Sequence, residues 1–497
     1  VTVDTCRADH LGAYGSQRVR TPNVDRLAAE GTVFENTYSA VNVTLPSHLS
    51  MLTSLPAATH RVTSNHSQAA RPVETLHARL RAAGYRVAAF VSAIHLGPTR
   101  VLGSVLHDLD RFDAPRRASR PWQAEETTDH LLHWLRGACR EPTFAWMHLW
   151  DPHMPYTPPA PFDDAYYQGD PRDPRHASMQ DVQLDWTLHD LHAARRHLQR
   201  VPRLVRTLKQ TLGVSSRGAR GLILDPAGLR TQGIDDVTYG ALFVVRTDLH
   251  RTLPLHPEIA GFLTGIRDVD YPRALYAGEI SYVDHEIGRL RDTLEAWGIA
   301  DRVVLMVTGD HGEGLGEHGI YFNHIGLWDE MLHVPLVVWA PGRVRAERRS
   351  EIASGLDVAP TLLGLVGLPP APAMEGGNLF DPAAPHRRIV AEAVHGNQIT
   401  LRDGSWKVVR TLHGYYTNDA FHPETGQLEL YDLSTDPAER TNVATARPDV
   451  AHTLTAALDT WLDTHGVGPD TPGYTDVPAP PISPEDRARL RALGYLE

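Results

Sequence analysis

Cysteine is nearly absent: Cys6 and Cys139 are the only two in 497 residues, so there is no disulfide framework and no cysteine cluster for zinc. Lysine is as rare, at Lys209 and Lys407 alone, and arginine supplies the rest of the 48 basic side chains. No apolar run approaches the roughly 18 residues that cross a bilayer, so no transmembrane segment is expected. A basic stripe is missing too. With 60 acidic side chains the net charge is −12, which argues against a nucleic-acid partner. The chain opens on Val1-Thr2-Val3, already strand-like, whereas a buried strand usually has about five or six residues. Further residues are expected upstream, and neither compartment nor oligomeric state is read from the sequence.

What is present is a globular composition, 42% hydrophobic and 22% charged, long enough to bury a large core. Strand-like and helix-like segments alternate through the first half. "TPNVDRLAAEG" (21–31) reads as a helix with Thr21 as N-cap and Pro22 at its first position. "PSHLSMLTS" (46–54) reads as a helix entered through Pro46, and "RVAAFVSA" (86–93) and "TFAWMHLW" (143–150) as buried strands. Tyr276, Ile280, Val283, Ile287, Leu290, Leu294 and Trp297 recur at helical spacing. "RVVLMVTGDHGEG" (302–314) reads as a parallel-type strand, and "VPLVVWAPG" (334–342) repeats the pattern. The expected fold is α/β, a mostly parallel sheet sandwiched by helices, with ligands beyond the carboxyl ends of its strands.

Residues 1–380 are expected to form the catalytic domain, with 164–270 as an insertion or cap over one face. Residues 385–467 read as a smaller antiparallel subdomain, and 468–497 as a Pro-rich linker with a terminal helix.

Asp4, Asp310 and His311 fall at strand ends, and carboxylate and imidazole together suit a divalent cation. Thr44 falls where a helix starts, where free N–H groups favour an anion beside its hydroxyl. His153 lies just past another strand end, in "WDPHMPY". Each residue alone has an ordinary reading as a cap or a solvated side chain. Together they describe a site for displacement at a tetrahedral oxyanion ester, with imidazoles moving protons.

The chain resembles the sulfatase family of the alkaline phosphatase superfamily over nearly its full length. "VDTCRADHLGAYG", "TPNVDRLAAEGTVFENTYS", "TLPSHLSMLTS", "DPHMPY", "YAGEISYVDHEIGRL", "VTGDHGEGLGEHG", "LWDEMLHVPLVVWAPG", "LDVAPTLLGLVGLP", "ELYDLSTDPAERTN" and "RLRALGYLE" follow in the family's order. The resemblance implies an alkaline-phosphatase-like fold and one divalent metal ion (Ca, Mg or Mn) held by Asp4, Asp310, His311 and Thr44. It implies Thr44 as the nucleophile, His48 in place of a supporting Arg, and His153 at the ester or leaving group. His324 falls where the family often has an anion-binding Lys. The substrate class is a small-molecule or glycan anionic ester, sulfate or phosphate.

Three positions depart from the family. Thr5 follows Asp4 where many relatives carry a second Asp ligand. "VSAIHLG" stands for "GKWHLG", with Ser92 near the Lys position and His95 roughly aligned. Thr44 replaces the Cys or Ser that becomes formylglycine, so formylglycine is not expected and a plain alkoxide is. Two alternatives remain on sequence grounds: a phosphoryl transferase or phosphodiesterase of the same superfamily, and a catalytically silent anion-binding relative. Retention of Asp4, Asp310 and His311 counts against the silent form.

Overall fold

The computed structural model of the chain describes residues 1–65, 73–93, 96–97, 105–106, 108–115, 121–180, 182, 262–263, 265–382, 388–414, 421 and 423–467. His95, most of the 164–270 insertion and the 468–497 segment lie outside these residues. The main sheet contains β1 (Thr2–Val3), β2 (Thr32–Tyr38), β3 (Arg86–Val91), β4 (Arg111–Asp113), β5 (Thr143–Leu149), β6 (Leu305–Gly309), β9 (His333–Trp339) and β10 (Glu347–Ser354). Their order is β10-β2-β9-β6-β1-β5-β3-β4. Between β6 and β9 sits a small hairpin of β7 (Gly314–Leu315) and β8 (Tyr321–Asn323). A second sheet, antiparallel throughout, joins β11 (Ile389–Glu392), β12 (Gln398–Asp403), β13 (Trp406–Thr411) and β14 (Leu428–Asp432).

The short β1 sits centrally, parallel to β5 on one side and β6 on the other. Strand β9 departs from the expected direction, running antiparallel to both β2 and β6. It enters from the hairpin side, so no crossover returns it to the start of the sheet. An apolar run reads the same in either direction, and only the connection decides.

Alternation along the strands sends side chains to two helical layers. In β3, Ala88 and Phe90 face the layer that holds α1 (Pro22–Glu30), α4 (Ala124–Ala138) and α5 (Asp270–Ala296). Val87, Ala89 and Val91 face α2 (Thr44–Thr53), α3 (Leu76–Ala82) and α6 (Val358–Leu365). A last helix, α7 (Pro448–Thr464), packs Leu454, Leu458 and Leu462 on the small sheet. Among the described residues no helix is long and apolar enough to cross a membrane.

Thr21 stands at the N-cap position of α1, but its hydroxyl is otherwise engaged. It accepts from Gly12 N–H and donates to Asp25. The open N–H groups of α1 are instead received by Asp284 of α5, which accepts from Asn23 N–H (3.1 Å) and Val24 N–H (2.7 Å). A helix's orphan donors need a partner, and here a distant helix supplies it.

Candidate active site

Strands β1 and β6 lie side by side and end together, which brings Asp4 and Asp310 to one point of the sheet edge. The backbone holds them there. Asp4 N–H donates to Leu149 O at 2.8 Å, and Asp310 N–H donates to Val3 O at 3.3 Å. Asp310 Oδ1 accepts from Thr5 N–H (3.1 Å) and His311 N–H (2.8 Å). Gly312 is obligatory, because a Cβ there would lie 1.9 Å from Glu330 O.

Thr44 is the first residue of α2 and is fully buried. Its hydroxyl donates towards Asp4 Oδ2 at 3.4 Å and lies 3.2 Å from His311 Nε2. Ser47, one helical turn on and on the same face, donates to Asp310 O at 2.6 Å. Ser39 donates to the same carbonyl. Asn42 secures the approach to the helix, donating to His324 O (2.9 Å) and Gly326 O (2.8 Å) and accepting from Val394 N–H (2.8 Å).

The tautomer of His311 follows from its surroundings. Nδ1 lies 3.0 Å from Gly312 O and, facing a carbonyl, must donate. Nε2 therefore turns a lone pair towards Thr44, Asp4 Oδ1 (3.9 Å) and Asp310 Oδ2 (3.6 Å). Ligand atoms from Asp4, Asp310 and His311 all lie within 4.8 Å of one another. Both Asp4 Oδ1 and Asp310 Oδ2 are buried without a hydrogen-bond partner. Burial, then Asp310 and Glu313, push the Asp4 carboxyl well above the usual carboxylate range; burial does the same to Asp310. Burial, then the neighbouring His324 ring, holds His311 well below the ordinary imidazole value. Two orphaned carboxylate oxygens and one imidazole lone pair, converging without a cationic side chain between them, fit a divalent cation.

Three imidazoles form a row out of this point. The His324 ring lies 4.3 Å from that of His311, and His153 lies 5.8 Å from His324. His153 stacks on Trp150 at 3.7 Å and donates Nδ1–H to Met154 O at 2.6 Å. His324 Nδ1 is 3.7 Å from Glu313 Oε2, and Glu313 Oε1 accepts from Tyr156 OH at 3.1 Å.

His48 sits behind Thr44, directed away from its hydroxyl. Its Nδ1 donates to the Thr44 carbonyl at 2.8 Å, and its Nε2 lies 3.0 Å from Thr2 Oγ1. Thr5 sits beside the carboxylates with a left-handed φ of +49°, a strained value for a β-branched residue, and its hydroxyl is buried without a partner. Ser92 is committed elsewhere: it donates to His148 O (2.6 Å) and accepts from Trp150 N–H (2.8 Å). Ser47, Asn42, Glu313 and Tyr156 were given no role from sequence. Ser47 carries a local signal, its spacing of three from Thr44, and Glu313 and Tyr156 stand in the same short motifs as His311 and His153; Asn42 carries none.

A hydroxyl at a helix start faces three side chains of metal-ligand type at the carboxyl edge of a mostly parallel sheet; the architecture is alkaline-phosphatase-like, and the relatives that follow mark the protein as an ester hydrolase. The Sulfatase family model matches residues 1–368, and that for the C-terminal region of N-sulphoglucosamine sulphohydrolase matches 316–464. The chain belongs to the sulfatase family. It is 22% identical to the arylsulfatase of Clostridium perfringens, over 89% of each chain. It is 24% identical to the N-acetylglucosamine-6-O-sulfatase of Bacteroides thetaiotaomicron, over 87% of this chain and 80% of that protein. The phosphonate monoester hydrolase of Agrobacterium radiobacter superposes with a TM-score of 0.63 at 21% identity, covering 93% of this chain and 95% of the other.

Proposed function

We propose that the protein cleaves sulfate or phosphate esters in a divalent-metal-dependent reaction with Thr44, as an ordinary alcohol, as the nucleophile. The observation that carries this reading is the Thr44 hydroxyl, between Asp4 Oδ2 and His311 Nε2 at the start of α2. When bound by Asp4, Asp310, His311 and Thr44, the ion supplies Lewis-acid stabilisation of the alkoxide and of the ester oxyanion. Thr44 passes its proton to Asp4 Oδ2, which its hydroxyl faces at 3.4 Å, and Oγ1 forms the new bond to sulfur or phosphorus as the bond to the leaving oxygen breaks. His153 has its Nδ1–H fixed on Met154 O, so its Nε2 is the nitrogen that delivers a proton to that oxygen. His324, between His311 and His153, is the ring placed to hold a non-bridging oxygen. Water then cleaves the threonyl ester and returns Thr44.

The methyl on the Thr44 β-carbon favours phosphate chemistry. Oxidation at that carbon would give a ketone, so the aldehyde hydrate that expels sulfate by internal collapse is not formed. A threonyl phosphate can be cleared by attack of water. A small-molecule or glycan ester remains the substrate class. The test is a paired assay with aryl phosphate and aryl sulfate on protein whose Thr44 is shown by mass to be unmodified. Phosphate turnover at least equal to sulfate turnover is expected. Multiple-turnover sulfate hydrolysis clearly exceeding it overturns the alcohol mechanism.

A further inference from the structure

We propose that His148 is a positioning residue of this site: it holds Asp4 from behind and, through Thr2, ties that ligand to the first turn of the helix that carries Thr44. The inference rests on the metal reading above.

The register of the sheet places these groups. Thr2 and His148 are direct partners across the parallel β1–β5 pair, so their side chains share a face, and Trp146, two residues earlier in β5, shares it too. His148 is 0% exposed. The Thr2 hydroxyl gives its proton to His48 Nε2, so His148 Nδ1 donates to Thr2 Oγ1 at 3.1 Å; His148 Nε2 lies 3.3 Å from Asp4 Oδ2, an ion-pair contact and not a hydrogen bond. Thr2 Oγ1 also accepts from Trp146 Nε1–H at 2.9 Å and lies 3.0 Å from His48 Nε2. His48 closes the path by donating to the Thr44 carbonyl. The two imidazoles meet edge to face at 4.6 Å.

A hydrogen-bonded path therefore runs from His148 through Thr2 and His48 to the backbone of Thr44, and the ring at its end stands against Asp4 at ion-pair distance, through an otherwise apolar layer. Apolar side chains would fill this layer without the cost of burying polar groups. What the path supplies is orientation. With Oδ2 of Asp4 fixed from behind, Oδ1 is presented to the triad, and the helix turn bearing Thr44 is indexed to the same strand. Outer partners of metal-ligating carboxylates act in this way, and their loss typically weakens metal affinity about 10–100-fold.

The two nitrogens of His148 can be tested separately. A glutamine amide reaches where Nε2 lies and keeps the contact to Asp4; an asparagine amide reaches only where Nδ1 lies and keeps the contact to Thr2. The readout is the Mn²⁺ dissociation constant of chelator-stripped protein, measured by electron paramagnetic resonance alongside a thermal melt. His148→Gln is expected to bind Mn²⁺ within a few-fold of wild type, and His148→Asn to bind about 10–100-fold more weakly. His148→Ala should match His148→Asn; if it fails to fold, the Gln and Asn pair decides. Equal affinities for the Gln and Asn variants, or wild-type affinity in His148→Asn, overturn the inference while leaving the metal site standing. A wild-type protein that binds no divalent ion overturns the metal reading and this inference with it.

Discussion

Asp310 has one carboxylate oxygen held by two backbone N–H groups and a second, buried oxygen with no hydrogen-bond partner. Asp310→Asn keeps the shape but removes the charge that a divalent ion needs there. Activity on aryl esters is expected to fall by orders of magnitude with the melting profile intact, and chelator treatment of wild type to mimic it. Full activity after chelation contradicts the site assignment. His60 offers a residue-scale test of stability. It is buried, its Nδ1 accepts from Val62 N–H, and its Nε2 therefore donates to Ser50. Burial lowers its pKa from 6.5 to about 3. Between those values the unfolded chain binds a proton that the folded chain refuses, so stability rises with pH across the window. Its contribution is complete above about pH 6.5 and is lost as pH falls towards 3, at roughly 1.4 kcal/mol per unit. His60→Gln should flatten that part of a denaturation-against-pH curve. Asp4, Asp310 and His311 were legible as candidate ligands because polar residues closing an apolar strand are visible in one dimension. His148 was not: its meaning depends on Asp4 and Thr2, which lie about 145 residues away in sequence.

At the scale of elements, α2 is fixed at both flanks of its first turn. Leu45 N–H donates to Asn65 Oδ1 at 2.8 Å, and Ser47 binds the Asp310 carbonyl. Ser47→Ala removes the tie while leaving Thr44 and the candidate ligands Asp4, Asp310 and His311 in place. A drop in kcat of about 10-fold, with Mn²⁺ affinity nearly unchanged, is expected if the helix start is what aims the hydroxyl. Unchanged kcat would show that the helix is placed without it. The cap on α1 makes a similar point. Asp284→Ala strands two N–H groups of another helix and should lower stability by about 2 kcal/mol, read from the unfolding midpoint. The sequence showed the start of α1 but not the source of its cap, since Thr21 carries the usual local signature and Asp284 lies some 260 residues on. The direction of β9 was hidden for a related reason: alternation fixes which face is buried, not which way the strand runs.

At the scale of the whole molecule, Lys407, the only lysine among the described residues, is one of the points that join the two sheets, beside the contacts of Ala40 and Asn42 with Glu392 and Val394. In a chain that uses arginine almost everywhere else, this ammonium is 1% exposed. It donates to Asp329 Oδ1 and approaches Glu439 Oε1, both at 2.8 Å. Asp329 also accepts from Tyr38 OH on β2, and Glu439 accepts from Asp329 N–H. The small sheet is thus keyed to the main one through a compact point charge with three donors, a space that a planar guanidinium does not match. Lys407→Met leaves the buried Glu439 and the partly buried Asp329 without this cation and should cost about 3–5 kcal/mol. Faster amide exchange in β12 and β13 is expected before the main sheet opens. The antiparallel character of this region was readable from its short alternating runs, whereas the join was not, because a lone lysine carries no pattern.

The central claim is that Thr44 itself takes up the oxyanion, and a pulse experiment tests it most directly. Unmodified, metal-loaded protein is mixed briefly with an aryl phosphate, quenched in acid and measured by intact mass and peptide mapping. The account predicts a phosphoryl group on the Thr44 peptide that disappears on a chase, no adduct and no turnover in Thr44→Ala, and substantial turnover in Thr44→Ser, which loses only a methyl group. Steady turnover by Thr44→Ala, or an adduct on any other residue, would contradict it.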